Sequence, residues 1–231
     1  MILEVIATCM DDALTAEASG VDRLELITAI TEGGLTPGIG LVEQVVRKVH
    51  IPVFVMVRPH SRSFVYDDHD IETMALEIEA IAKAGAAGVV LGALTPEGNI
   101  DEIVLQRLLP LTRGLQVTFH RAFDELADQH AGLETLKRYP QITRVLTSAG
   151  PRPAIQSVRE MARLVAAVDA SPLTILAGHG LAAESITDFI QETGVKEVHF
   201  GSAVRYDKSN LAPIDPLVLR MLADRVHSVC L

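Results

Sequence analysis

The chain has no tryptophan, two cysteines and five lysines among its 231 residues. Two cysteines, Cys9 and Cys230, cannot build a disulfide framework or a four-cysteine zinc site. Of the lysines (Lys48, Lys83, Lys137, Lys196 and Lys208) only Lys208 falls near a candidate site, and it lies on a loop, so Schiff-base chemistry lacks a strand-borne amine. Positive charge is short as well. Twenty Lys plus Arg against thirty Asp plus Glu give a formal charge of −10, which speaks against a nucleic-acid or anionic-membrane partner. No apolar run approaches the ~18 residues needed to span a bilayer. Met1-Ile2-Leu3-Glu4 lacks the basic flank of a signal peptide. There is no P-loop, nucleophile elbow or helical zinc-protease motif. The expectation from these absences is a cytoplasmic globular protein.

What is present is 48% hydrophobic residues arranged in one repeating pattern: a short β-rich run, a turn, then a stretch with helical spacing. The strands are expected at 3–7, 23–28, 53–58, 88–94, 116–121, 143–148, 173–177 and 197–200. Most are near-continuous apolar runs, as parallel strands covered by helices require. Helical stretches are expected at 11–19, 40–49, 70–84, 101–111, 131–139, 154–167 and 183–192, with Gly85, Gly114 and Gly194 at stops. Eight units of about 29 residues predict a single (β/α)8 barrel over residues 1–231, with an open doubly wound sheet as the alternative.

In such a barrel the site lies at the carboxyl ends of the strands. Near those ends stand Glu4, Glu25, Arg58, His120 with Arg121 and Asp124, Thr147 with Ser148, and His199 with Ser202. An ionisable side chain in an apolar strand is costly unless paired, so one such residue reads as a satisfied polar layer. Two Glu, two Arg and two His converging from several strands read as a site. Alternation puts Glu4 on one face with Ile2 and Ile6, Glu25 with Arg23 and Ile27, Arg58 with Met56 and Phe54, and His120 with Thr118. Two glycine-bearing loops follow the last strands. Gly178 and Gly180, then Gly201 and Ser202, would let backbone N–H groups approach a phosphate or carboxylate. Asp67-Asp68-His69-Asp70 resembles a metal cluster but reads as a helix cap. Cys9-Met10 reads as a buried thiol beside a core filler.

Several of these segments are similar to the CutC family, named for copper homeostasis: Thr118-Phe119-His120-Arg121-Ala122-Phe123-Asp124, Glu32-Gly33-Gly34-Leu35-Thr36-Pro37, Val145-Leu146-Thr147-Ser148, Arg23-Leu24-Glu25-Leu26, Met56-Val57-Arg58-Pro59 and Gly88-Val89-Val90-Leu91-Gly92. The resemblance runs along essentially the whole chain. It implies a barrel, a cytoplasmic location, homo-oligomers and copper as a bound ion. The family pattern carries Cys two residues after the first-strand Glu and two after the second-strand Glu; here these positions are Ile6 and Ile27.

Three functions follow as expectations. The first is acid–base chemistry on a small anionic metabolite, with Glu4, Glu25, Arg58, His120, Asp124 and His199 as the catalytic set and Gly178, Gly180, Gly201 and Ser202 holding the anion. The second is copper handling through His120, His199, Cys9 and Met56. The third is binding of a metabolite without turnover.

Overall fold

The computed structural model describes residues 1–229, so Cys230 lies outside the described residues. Eight parallel strands close into a barrel in chain order: β1 (Ile2–Ala7), β2 (Arg23–Leu26), β3 (Val53–Met56), β4 (Gly88–Leu91), β5 (Gln116–Phe119), β6 (Ile142–Thr147), β7 (Thr174–Ala177) and β8 (Glu197–Phe200), with β8 pairing back onto β1. Around it lie α1 (Met10–Ala18), α2 (Ile39–Lys48), α3 (Asp68–Ala84), α4 (Glu102–Leu108), α5 (Gln129–Leu136), α6 (Val158–Val168), α7 (Ile186–Thr193) and α8 (Pro216–Ser228). This is the (β/α)8 barrel, not the open sheet.

Strand alternation divides the core in two. Leu3, Val5 and Ala7 of β1, Leu24 and Leu26 of β2, and Val53 and Val55 of β3 point outward and join the layer packed under the helices. Ile27, Phe54, Met56 and Val90, with Ile6 against them, form a separate apolar cluster inside the barrel. The face carrying Glu4, Glu25 and Arg58 is therefore the inner one. Glycine at 88 is a packing requirement. A Cβ there would run into the Phe54 ring and come within 2.6 Å of the Gln116 carbonyl.

Four strands, β2 to β5, stop two or three residues short of the expected carboxyl ends, because the last residues leave the ladder to build the mouth. Thr28 pairs antiparallel with Leu35, and Leu94 with Ile100, so the β2–α2 and β4–α4 loops fold back as small hairpins. The Asp67–Asp70 run is a capping box on α3. The Asp67 carboxylate accepts from the His69 and Asp70 N–H groups, and the Asp70 carboxylate accepts from the Asp67 N–H. Helix α8, given no bounds from the sequence, starts at Pro216 and is capped by Asp215, whose carboxylate accepts from the Leu217 and Val218 N–H groups.

Candidate functional site

The inward-facing polar residues stack in two layers. In the lower one, Arg23 binds Glu4 through Nε and Glu197 Oε2 through Nη2 at 2.5 Å; Arg144 Nε donates to the same Glu197 oxygen at 2.9 Å. Both guanidinium groups lie on the Phe54 ring, 5.2 and 4.8 Å from its centroid. Two carboxylates and two arginines leave this floor without net charge.

The upper layer opens into a cavity of about 490 Å³ at the carboxyl end of the barrel, within the range of small-molecule sites. Glu25, Arg58, His120 and His199 line it, against apolar walls that include Ile6, Ile27, Met56 and Phe64. His199 joins the layers: Nδ1 lies 2.8 Å from Glu4 Oε1 and Nε2 lies 3.7 Å from Glu25 Oε2. Burial would raise the Glu4 carboxyl, but Arg23 and His199 outweigh it and hold the group at about 2. Burial likewise opposes the charged imidazole of His199, yet Glu25 and Glu4 together raise its pKa, so its Nδ1–H donates to an ionised Glu4. Glu25, with burial dominant, is pushed up to about 7. It can take or give a proton near neutrality.

His120 differs. Burial first, and the positive charge of Arg58 second, push it down to about 3, so the ring is neutral. The Ala122 N–H donates to its Nδ1 at 3.2 Å, which places the ring proton on Nε2 as a donor. Gly92 makes room for it, since a Cβ there would lie 2.6 Å from His120 Nδ1. Arg58 is held by the loop that follows β2. Thr36 Oγ1 accepts from the Arg58 N–H at 2.9 Å, and Nη1 donates to the Glu32 and Gly34 carbonyls at 3.1 and 3.3 Å. Among the described residues Glu25 Oε1, Arg58 Nε and His120 Nε2 are buried with no hydrogen-bond partner.

Three expected site residues lie elsewhere. Glu4 is in the floor, below the cavity, and engaged by Arg23 and His199. Asp124 is turned into the β5–β6 loops. It accepts from Thr147 Oγ1 at 2.5 Å, from the N–H groups of Ser148 and Gly150, and from Arg121 Nε at 2.8 Å. Its lone pairs are occupied, so its place is that of a clamp. Gly178 gives its N–H to the Thr147 carbonyl at 2.9 Å; a Cβ there would press on Leu146 and His199, so close packing is what its position requires. Gly180, Gly201 and Ser202 do line the cavity, and their N–H groups have no backbone acceptor among the described residues. Cys9 is exposed at the start of α1, not buried, because it follows the end of β1 on the outer side; Met10 is half-buried against the outer core. Sequence reasoning passed over Arg144 and Glu197, although both share the inward parity. It also missed Phe64, a loop aromatic whose ring supports both Arg58 and His120 and which has no local signal.

The CutC family model matches residues 1–204. The chain belongs to the CutC family. A copper homeostasis protein cutC homolog of Homo sapiens is 37% identical over 198 residues, 86% of this chain and 72% of that protein. A family protein CutC of Salmonella typhimurium is 37% identical over 203 residues, covering 88% of this chain and 80% of that one. A solved CutC structure from Streptococcus agalactiae is 31% identical with a TM-score of 0.82, covering 86% of this chain and 97% of its own. The phosphoribosyl anthranilate isomerase of Thermotoga maritima, 13% identical with a TM-score of 0.67 over 99% of this chain and all of its own, shows a shared barrel alone. Among the described residues no helix is long and apolar enough to cross a membrane.

Proposed function

We propose that this CutC protein binds a small anionic metabolite in the barrel mouth and processes it by acid–base chemistry in the cytoplasm. One observation carries the reading: Glu25 Oε1, Arg58 Nε and His120 Nε2 are buried with no partner among the described residues, and all three belong to side chains that line one cavity. Buried polar groups are almost always satisfied, so the missing partner is a ligand. Around Arg58 stand the Glu32 and Gly34 carbonyl oxygens, the Phe64 face and the Tyr66 phenol, and no hydrogen bond joins it to a carboxylate, so its counter-ion is an anion. Thermal-shift titration with inorganic phosphate, sulfate and small carboxylates tests it. The melting temperature rises with anion in wild type and rises less in Arg58→Gln, which removes a positive charge from the mouth. Equal shifts in the two proteins would defeat the reading.

The names of the relatives favour a second reading, copper homeostasis. The donors of the mouth do not fit Cu(I), which seeks sulfur. Met56 is the one thioether among the lining residues, Ile6 and Ile27 occupy the inward positions beside Glu25, and a guanidinium stands nearby. Among the described residues no cluster of three or more His, Cys, Asp or Glu is arranged to hold a metal. Competition against a strong Cu(I) chelator under reducing conditions separates the readings. One equivalent of copper retained by wild type and lost in Cys9→Ala would support copper binding.

A further inference from the structure

The mouth holds a finer pattern, which rests on the anion-binding reading above. Arg58 and His120 pack on the same ring: Arg58 Cζ lies 4.5 Å from the Phe64 centroid and the His120 ring 4.8 Å from it. Arg58 Nη1 is taken by two carbonyls and His120 Nδ1 by the Ala122 N–H, which leaves Arg58 Nε–H and His120 Nε2–H free. Both are donors that lack an acceptor. Glu25, which lines the same cavity, has in its buried Oε1 an acceptor that lacks a donor. A carbonyl compound satisfies both needs. Its oxygen takes the two donors, and the adjacent carbon presents a weakly acidic C–H to the carboxylate. A neutral imidazole donor beside a carboxylate base is suited to this, because the donor stabilises an enolate without surrendering its own proton.

We infer that the substrate is a phosphorylated α-hydroxy aldehyde or ketone, and that Glu25 moves a proton between the two carbons of its hydroxycarbonyl unit. The phosphate is held by the free N–H groups of Gly180, Gly201 and Ser202 at the other side of the mouth. Glu25 takes the proton from the hydroxyl-bearing carbon. The C–H electron pair forms the carbon–carbon double bond as the carbonyl pair moves onto oxygen. Arg58 and His120 hold the resulting enediolate. The proton returns to the former carbonyl carbon while the hydroxyl proton passes to the former carbonyl oxygen, so an aldose becomes a ketose with no oxidant or reductant. His199 is a positioning residue: bonded to Glu4 and facing Glu25, it fixes the carboxylate that moves the proton.

Proton NMR in deuterated water tests this, with dihydroxyacetone phosphate, D-ribulose 5-phosphate and D-fructose 6-phosphate as probes. In parallel, inorganic phosphate and glycerol 3-phosphate, which carry no carbonyl, are followed by thermal shift. Enzyme-dependent exchange of a carbon-bound proton is expected in at least one probe. It should fall at least 100-fold in Glu25→Gln and at least 10-fold in His120→Phe, with the phosphate-induced thermal shift kept in Glu25→Gln. Phosphate binding without exchange in any probe would overturn the carbonyl assignment and leave the anion reading standing. No thermal shift with any anion would remove both. Exchange that persists in Glu25→Gln would show that the base is misassigned and would overturn the proposal.

Discussion

The floor and the mouth of the barrel are made from the same residue types, on the same inward face, one layer apart. In the floor, Glu4, Arg23, Arg144 and Glu197 satisfy one another, and the Phe54 ring packs against both guanidinium groups. In the mouth, Glu25, Arg58 and His120 line a cavity and each keeps a buried polar atom without a partner among the described residues. Charge in an apolar barrel is thus no mark of function by itself. The distinction lies in whether its hydrogen-bonding capacity is closed by the protein. The largest effect should come from opening the floor. Arg23→Met leaves two buried carboxylates short of a partner and is expected to cost about 3–5 kcal/mol in urea unfolding. Glu25→Gln, in the mouth, should stay within about 1 kcal/mol of wild type at pH 7, where its carboxyl is already partly protonated. Similar losses in the two variants would erase the distinction.

A second comparison separates two neighbours in one motif. His120 faces the cavity, whereas Asp124, four residues on, binds the backbone after β6. Asp124→Asn is expected to cost about 2 kcal/mol through weakened charged hydrogen bonds and to change anion affinity less than tenfold. A loss of affinity far beyond the loss of stability would instead put Asp124 among the groups that touch the ligand.

Much of this was legible in the sequence, for a physical reason. An ionisable residue in an apolar strand is expensive, so Glu4, Glu25, Arg58, His120 and His199 stood out. Period-two alternation put them on one face. The alternation could not say which layer each occupied, because layer depends on register and on the tilt of the closed barrel. Glu4 consequently read as part of the cavity, although its register with Arg23 places it in the floor. Strand ends at Thr28 and Leu94 were read too long because apolar residues continue into the hairpins of the mouth. The hold of Glu32 and Gly34 on Arg58 joins residues 26 and 24 positions apart, and nothing local announces it.

The buried titratable groups should also respond to pH differently, and the sign follows each group rather than its layer. Native His120 titrates near 3, while an unfolded imidazole titrates near 6.5, so the unfolded chain binds the extra proton as pH falls. Its contribution is present above about 6.5 and is lost on acidification, with a slope of up to about 1.4 kcal/mol per pH unit. Glu4, held at about 2, adds a loss of the same sign below about 4.5. Glu25 has the opposite sign: raised to about 7, it contributes below its unfolded value and loses that contribution as pH rises through 7. Melting curves from pH 4.5 to 6.5 should be flatter in His120→Gln than in wild type. Equal slopes would mean that His120 is not held neutral.

The smallest effect is expected outside both layers and has the opposite direction. Cys9 is the residue before the first turn of α1, with extended backbone and no side-chain hydrogen bond to the helix N–H groups. Thiols are poor acceptors, and Ser is among the residues preferred there because its oxygen accepts from the second or third helical N–H. The turn is already fixed on its other side, where Asp12 accepts from the Thr8 N–H and from Arg205, so a hydroxyl at position 9 meets a formed helix start. Cys9→Ser should stabilise by about 0.5–1 kcal/mol, a rise in melting temperature of roughly 1–3 °C for a chain of this size. Because the side chain is exposed and outside the cavity lining, the phosphate-induced shift should be the same in variant and wild type. A variant that melts lower, or that changes ligand affinity, would place the thiol in contact with something that the arrangement of α1 and the mouth does not show.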